Sequence, residues 1–287
     1  MNKTTQNRPK NEQNNPKSAK KMNKKKKLFQ FQINVFFAVF CCFLLFFAVF
    51  FSKSHTYFEF LEENLKNYAF QAGEELKYKI SYGRSSKKRG QILAGYATLK
   101  VQENEDGDYI LKAFGQTTKL FSLFMKVKHT YESIVDKNTI STLRFKMDLQ
   151  EGKYFHADSI SFQKSTSNKH NTNDILSVLY RLRSIDELSM LETDTLFFSY
   201  YYDKSYFESY IINKGSEVIN TKFGPIQAVK WSPLLEKGRV FKDTTGAFIW
   251  TSSNSMRIPL KLEIPILIGS IYVNLVSAKG TVYDLNK

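Results

Sequence analysis

Cysteine is nearly absent. The 287-residue chain has two, Cys41 and Cys42, and both sit inside one apolar run. The long body that follows has no disulfide framework and no thiol chemistry. The pair also fails as a lipoprotein signal, because Phe40 precedes Cys41 and Cys41 itself precedes Cys42, where a small residue is needed. Proline (6) and glycine (13) are few and aromatics reach 15%, which excludes collagen-like and wholly disordered chains. Histidine is limited to His55, His129, His156 and His170, none spaced with Cys or another His as a metal pair. His-Glu-x-x-His, the EF-hand spacing, the Gly-x-Ser-x-Gly elbow and a glycine-rich phosphate loop before a helix are all missing. Neither a metal nor a cofactor is expected.

Charge is what the chain has in excess, and its location decides its meaning. The net charge is +15. Residues 1–27 hold ten cations and one anion, Glu12, leaving 32 cations against 26 anions in the other 260 residues. A body charge of +6 is ordinary for a soluble domain, so a nucleic-acid partner is not expected.

The polar Asn/Lys-rich tail, 1–27, reads as disordered and cytoplasmic. From Leu28 the composition flips, and Val35 to Phe51 is an unbroken apolar run. A helix over 28–51 would span roughly 36 Å, enough for a bilayer core of about 30 Å. Lys24 to Lys27 abut one side and only Lys53 lies close on the other, which places the tail inside and the body outside. The segment is either a retained transmembrane anchor or a cleaved signal. Its length favours retention, whereas Ser52-Lys53-Ser54 offers a small-x-small cleavage site. Met22 opens a second basic start, Met-Asn-Lys-Lys-Lys-Lys. The expected location is the bacterial cell envelope: single-pass in the inner membrane with a periplasmic C-terminal domain, or periplasmic if the signal is cleaved.

Residues 52–72 form a connector, with apolar residues at helical spacing from Tyr57 to Phe70. After Gly73 the period becomes two. Leu76, Tyr78, Ile80 and Tyr82 alternate with polar neighbours, and so do Ala97 to Val101, Leu143 to Leu149 and Leu260 to Ile266. Weaker strands fit 109–115, 125–135, 154–163, 195–202, 206–213, 217–223, 226–231, 247–251 and 270–277. Turns at Asp106-Gly107, Glu151-Gly152, Lys214-Gly215 and Gly224-Pro225 separate them. The pattern predicts an all-β-dominated body over 73–287: a large curved antiparallel sheet, as half-barrel, barrel or sandwich. One helix is inserted, capped by Asp174, with Ile175, Val178, Leu179 and Leu182 on one face and its end near Arg183.

Four short segments carry a family likeness. They are Gly73-Glu74-Glu75-Leu76-Lys77-Tyr78, Ala94 to Val101, Leu176 to Arg183, and Trp250-Thr251-Ser252 followed by Arg257-Ile258-Pro259. In this order they resemble domain-of-unknown-function family 3108, over roughly 70–280. The resemblance implies an exported, β-rich bacterial envelope protein without an established activity, similar in architecture to the curved half-barrels of lipoprotein carriers. This chain has Asn254 where the family pattern favours Asp, which leaves an acidic role there unsupported.

Candidate sites are sparse. His129 shares a strand face with Val127 and Tyr131, which favours a core or rim histidine over a ligand. Asp148, Glu151 and Asp158 flank one turn and read as a solvated hairpin end rather than a glycosidase pair. Arg84, Lys87, Lys88 and Arg89 read as a charged loop between two strands. Arg181 and Arg183 on the inserted helix read either as tertiary ion-pair residues with a strand Glu or as holders of an anionic head group. Tyr200 and Tyr202, in an aromatic pair of strands from Phe197 to Tyr210, would then line the tail of that ligand. The expected function is a non-enzymatic envelope protein binding a lipid, glycan or protein partner on its curved sheet. The alternative is an envelope polymer-modifying hydrolase.

Overall fold

Alternating side chains need two different environments, and a sheet supplies them. The computed structural model describes residues 69–83, 90–124, 126–162, 173–185, 194–234, 246–266 and 269–285. Twelve strands form: β1 (Glu75–Gly83), β2 (Ile92–Glu103), β3 (Tyr109–Thr117), β4 (Val127–Val135), β5 (Thr142–Glu151), β6 (Tyr154–Ser161), β7 (Thr195–Tyr202), β8 (Ser205–Thr221), β9 (Gly224–Pro233), β10 (Phe248–Ser252), β11 (Pro259–Pro265) and β12 (Ser270–Lys279). Among the described residues two short helices interrupt them, α1 (Lys119–Ser122) and α2 (Ile175–Arg183).

All twelve strands belong to one antiparallel sheet in the order β6-β5-β4-β3-β2-β1-β12-β11-β10-β9-β8-β7. The chain starts at the middle, meanders to one edge, crosses to the other and meanders back until β12 pairs with β1. Every other pair is consecutive in sequence, as short turns dictate. The apolar residues of the alternations, such as Leu76, Tyr78 and Ile80 of β1 and Phe145 and Met147 of β5, are buried.

The ends of this sheet meet. Tyr201 of β7 points to the face opposite Leu196, yet its ring lies 6.2 Å from Phe145 of β5, on the inner face. The sheet is therefore rolled until its two ends overlap. Carboxylates make the junction: Tyr201 Oη donates to Asp158 Oδ2 at 2.8 Å, the Lys204 backbone N–H to the same oxygen at 3.3 Å, and His156 Nε2 lies 2.7 Å from Asp203 Oδ1. The backbone edge of β7 is met by the segment entering α2, where Tyr201 N–H donates to Asn173 O at 2.7 Å.

Two expectations need correction. Lys214-Gly215 is not a turn between strands but a bulge inside the 17-residue β8. Asn213 pairs with Trp231 and Ser216 with Val229, so β8 carries one extra residue there. Gly215, at φ +88, takes the left-handed conformation the bulge needs, and its N–H donates to Asn213 Oδ1 at 2.9 Å. A second helix was also not expected: α1 spans four residues, too few to show a helical period. The 28–51 segment and nearly all of the 52–72 connector lie outside the described residues, as does the Arg84 to Arg89 loop. Among the described residues, no helix is long and apolar enough to cross a membrane.

The Tyr201–Asp158 bond should matter to closure. Tyr201→Phe should cost about 1.5 kcal/mol in urea unfolding, as for a hydrogen bond to a carboxylate. Burial first, and the bond to Asp158 second, push the Tyr201 hydroxyl up to about 12 from its ordinary 10.0. A raised folded value means stabilisation that is complete below pH about 10 and is lost as pH climbs toward 12. The deficit of the Phe variant should shrink over that window; an equal deficit at both ends would contradict this account.

Candidate functional site

Helix α2 lies inside the roll, and each of its ends is fastened. At the N-terminus Asp174 caps, accepting from Leu176 N–H at 2.7 Å and Ser177 N–H at 3.0 Å. Ser177 Oγ returns the favour by accepting from Asp174 N–H at 2.9 Å. Two strand hydroxyls complete the carboxylate's shell, Ser133 of β4 at 2.7 Å and Thr142 of β5 at 2.6 Å. Burial pushes the Asp174 carboxyl above its ordinary range, while Thr142, Ser133 and the helix N–H groups pull it back. The cap therefore sets the helix against the β4–β5 wall.

At the C-terminus Arg183 makes a two-pronged pair with Glu74, just before β1, at 2.7 and 2.9 Å. Its Nη2 also donates to Ala69 O at 3.0 Å and its Nε to Met256 O at 3.1 Å. Four of the five guanidinium N–H groups are thus used within the protein. The rings of Tyr180 and Phe70 lie 5.2 and 5.6 Å from the guanidinium carbon. Both charged groups are buried. Desolvation works against the Arg183 charge, but Glu74 outweighs it and holds the pKa above its ordinary value. Burial likewise raises the Tyr78 and Tyr180 hydroxyls.

Arg257, in the β10–β11 connection, finishes the helix. Its Nη1 donates to Arg183 O at 3.0 Å and Ile185 O at 2.6 Å, carbonyls that the helix itself leaves unpaired. Arg257 sits at φ +41, a left-handed conformation that is unfavourable for a residue with a side chain.

Between α2 and the opposite wall is a small apolar cavity of about 50 Å³. Leu179 and Leu182 line it from the helix; Leu196, Ile211, Trp231 and Ile249 line it from β7, β8, β9 and β10. Arg183 and Arg257 border it. The Trp231 Nε1–H is satisfied by Thr251 Oγ1 at 2.9 Å, which leaves the indole to present its apolar surface. The other tryptophan, Trp250, lies on the outer face between Lys261 and Lys230, and donates to Glu217 at 2.6 Å.

Of the expected site residues, only Arg183 borders the cavity. Arg181 is buried on the same helix. Tyr200 and Tyr202 are buried on the inner face of β7, beyond Phe198, where Tyr200 stacks on Phe207 at 5.6 Å. The three carboxylates of the β5–β6 hairpin diverge: Glu151 is buried 3.0 Å from His129, Asp158 serves Tyr201, and Asp148 is exposed beside Lys146. His129 is a fully buried inner-face residue. Among the described residues, no group of three or more His, Cys, Asp or Glu could hold a metal ion. Sequence reasoning missed Glu74, Arg257 and Trp231 as parts of this site. The first two stand inside the family-like segments, and Trp231 ends a strand assigned on weak alternation.

Arg183→Ala would leave the Glu74 carboxylate buried without its partner. The variant should lose about 3–5 kcal/mol in denaturant unfolding, and Arg183→Lys should recover only part of it, because an ammonium cannot reproduce the fork. A loss below about 1 kcal/mol would mean that the pair behaves like an exposed one.

Comparison with known proteins bears on family. The β-barrel-like protein of the family of unknown function DUF1849 from Brucella abortus matches at a TM-score of 0.47 with 9% identity, covering 74% of this chain and 98% of that one. A protein with a YmcC-like fold from Bacteroides fragilis matches at a TM-score of 0.33 with 14% identity, covering 74% and 99%. At these scores neither carries an argument. A search of curated proteins finds no match. The family model for proteins of unknown function DUF3108 matches residues 77–276, the stretch from β1 to β12 that builds the roll, and this chain belongs to that family.

Proposed function

We propose that this chain is an exported, non-enzymatic protein of the bacterial cell envelope whose rolled sheet receives the end of an apolar chain beneath α2. The cavity carries the reading: its wall is aliphatic and aromatic, and cations border one side. At about 50 Å³ it is far below the roughly 300–1,000 Å³ of a small-molecule pocket. Only a chain end fits without movement of Leu179 and Leu182. A longer tail would run along the inner face of β7, past Phe198 to Tyr200 and Tyr202. Arg183, with its remaining N–H, would take an anionic head group, whereas Arg181 lies away from the cavity lining. The scattered carboxylates of the β5–β6 hairpin speak against the hydrolase alternative.

Trp231 is a built-in reporter. With Trp250→Phe in the full chain, it is the sole tryptophan. Dibromostearate should quench its fluorescence saturably, and Leu182→Arg, which places a charge in the cavity, should abolish the saturable part. Quenching that rises linearly without saturation would reject the site.

Export has its own support in Lys24 to Lys27 followed by the apolar run from Leu28 to Phe51. Alkaline phosphatase fused after Lys287 should be active in the periplasm. A fusion active only in its cytoplasmic reporter counterpart would refute export.

A further inference from the structure

The hairpin between β3 and β4 ends in α1, and this tip keeps large apolar side chains in water. Leu120 is 60% exposed, Leu123 80% and Phe124 64%. Ile92, at the start of the neighbouring β2, is 51% exposed.

The tip is built rather than loose. Thr118 caps α1 by accepting from Phe121 N–H at 3.3 Å, and its own N–H donates to Ala94 O at 2.9 Å. Thr117 Oγ1 accepts from Val127 N–H at 3.1 Å and lies 2.9 Å from Ser122 Oγ. Leu123 N–H and Phe124 N–H donate back to Leu120 O at 3.3 Å and Phe121 O at 2.9 Å. Phe121 turns inward onto the core, so the turn is pinned while its three neighbours point out.

Charge around the tip has one sign. Lys119, Lys126 and Lys128 are exposed, and no acidic residue occurs between Asp108 and Glu132. The carboxylate that the ladder sets opposite Val127, Glu151, is buried beside His129. The tip lies at the end of the sheet away from Glu75: Glu75 pairs with Lys100 and Lys100 with Lys112, whereas Thr117 pairs with Gly95. It therefore projects away from the point where the chain enters β1.

We propose that the α1 tip is a docking surface for an anionic phospholipid bilayer. Leu120, Leu123 and Phe124 enter the headgroup–acyl boundary, and Lys119, Lys126 and Lys128 rest on anionic head groups. An ordered apolar turn flanked by cations has the chemistry of an interfacial membrane contact: apolar burial supplies depth and the lysines supply preference for anionic lipid. The surface is independent of the cavity under α2 and would stand if that reading fell.

The test reads the tip itself. The full chain, held in neutral phosphatidylcholine nanodiscs, carries Cys41→Ser, Cys42→Ser and Leu123→Cys labelled with the polarity-sensitive dye NBD. A second version carries the dye at Asn138→Cys, in the exposed β4–β5 connection at the other end of the sheet. Vesicles of phosphatidylcholine, with or without phosphatidylglycerol at about 30 mol%, are then added at low and high salt. The expected result is a blue shift and quenching by brominated lipid at position 123 and not at 138, requiring phosphatidylglycerol and weakening with salt. Lys119→Glu with Lys126→Glu should weaken vesicle binding by about tenfold or more. No insertion at position 123, insertion equal at both positions, or insertion indifferent to phosphatidylglycerol would overturn the proposal. So would a concentration-dependent shift without vesicles, which would assign the tip to a second copy of this chain.

Discussion

A guanidinium buried against a carboxylate 109 residues away holds the interior of this molecule in register. Removing two charges from water costs several kcal/mol apiece, and only good geometry offsets it. Arg183 and Glu74 meet that condition with two parallel bonds, two further carbonyl acceptors and aromatic faces on Tyr180 and Phe70. The pair joins the end of α2 to the start of β1, and through Met256 to the β10–β11 connection. These elements come from both meanders, so one interaction ties the helix to the two halves of the sheet. The Asp174 cap does the same at the other end, with hydroxyls from β4 and β5. A helix fastened at both ends inside a rolled sheet fixes how tightly the sheet can roll, and hence how little space is left below Leu179 and Leu182.

The strands were legible because burial on one face forces a period of two. The strand Thr195–Tyr202 and the helix Ile175–Arg183 lie where the weaker strand signal and the Asp174 cap place them, although Tyr200 to Tyr202 are buried without alternation. Failures came where local signals carry more than one meaning. Lys-Gly ends a strand or bulges one, and only pairing with β9 decides between them. The helix exposes the limit of amphipathic reasoning. Ile175, Val178, Leu179 and Leu182 were expected to be its inward face. Within the roll, protein surrounds it, so Leu176, Ser177, Tyr180, Arg181 and Arg183 are buried as well. Leu179 and Leu182 are the partly uncovered ones, because they face the cavity.

The candidate site was less legible than the fold, since its parts are set by closure and not by local pattern. An arginine on a helix reads equally well as a ligand holder or an ion-pair residue until its partner is known. Glu74 is distant in sequence and precedes a strand whose other residues alternate normally. Trp231 belongs to the cavity because β9 presents it inward opposite Ile249; nothing in its own stretch distinguishes it from the outward Trp250.

Three of the four segments that carry the family likeness converge on the seat of the helix. Glu74 and Tyr78 come from the first, Tyr180 and Arg183 from the third, and Arg257 from the last. In space Arg183 bonds Glu74, Arg257 bonds the Arg183 carbonyl, and the two tyrosines share the same buried charge environment. Such a cluster, with four of the five Arg183 donors spent on protein, is suited to positioning and poorly suited to catalysis. The residues that would discriminate among ligands are instead those without fixed partners in this frame, the aliphatic and aromatic wall around Leu182 and Ile211. Substitutions there would alter the size and shape of the cavity while leaving the seat of α2, which rests on Glu74, Arg183 and Arg257, in place.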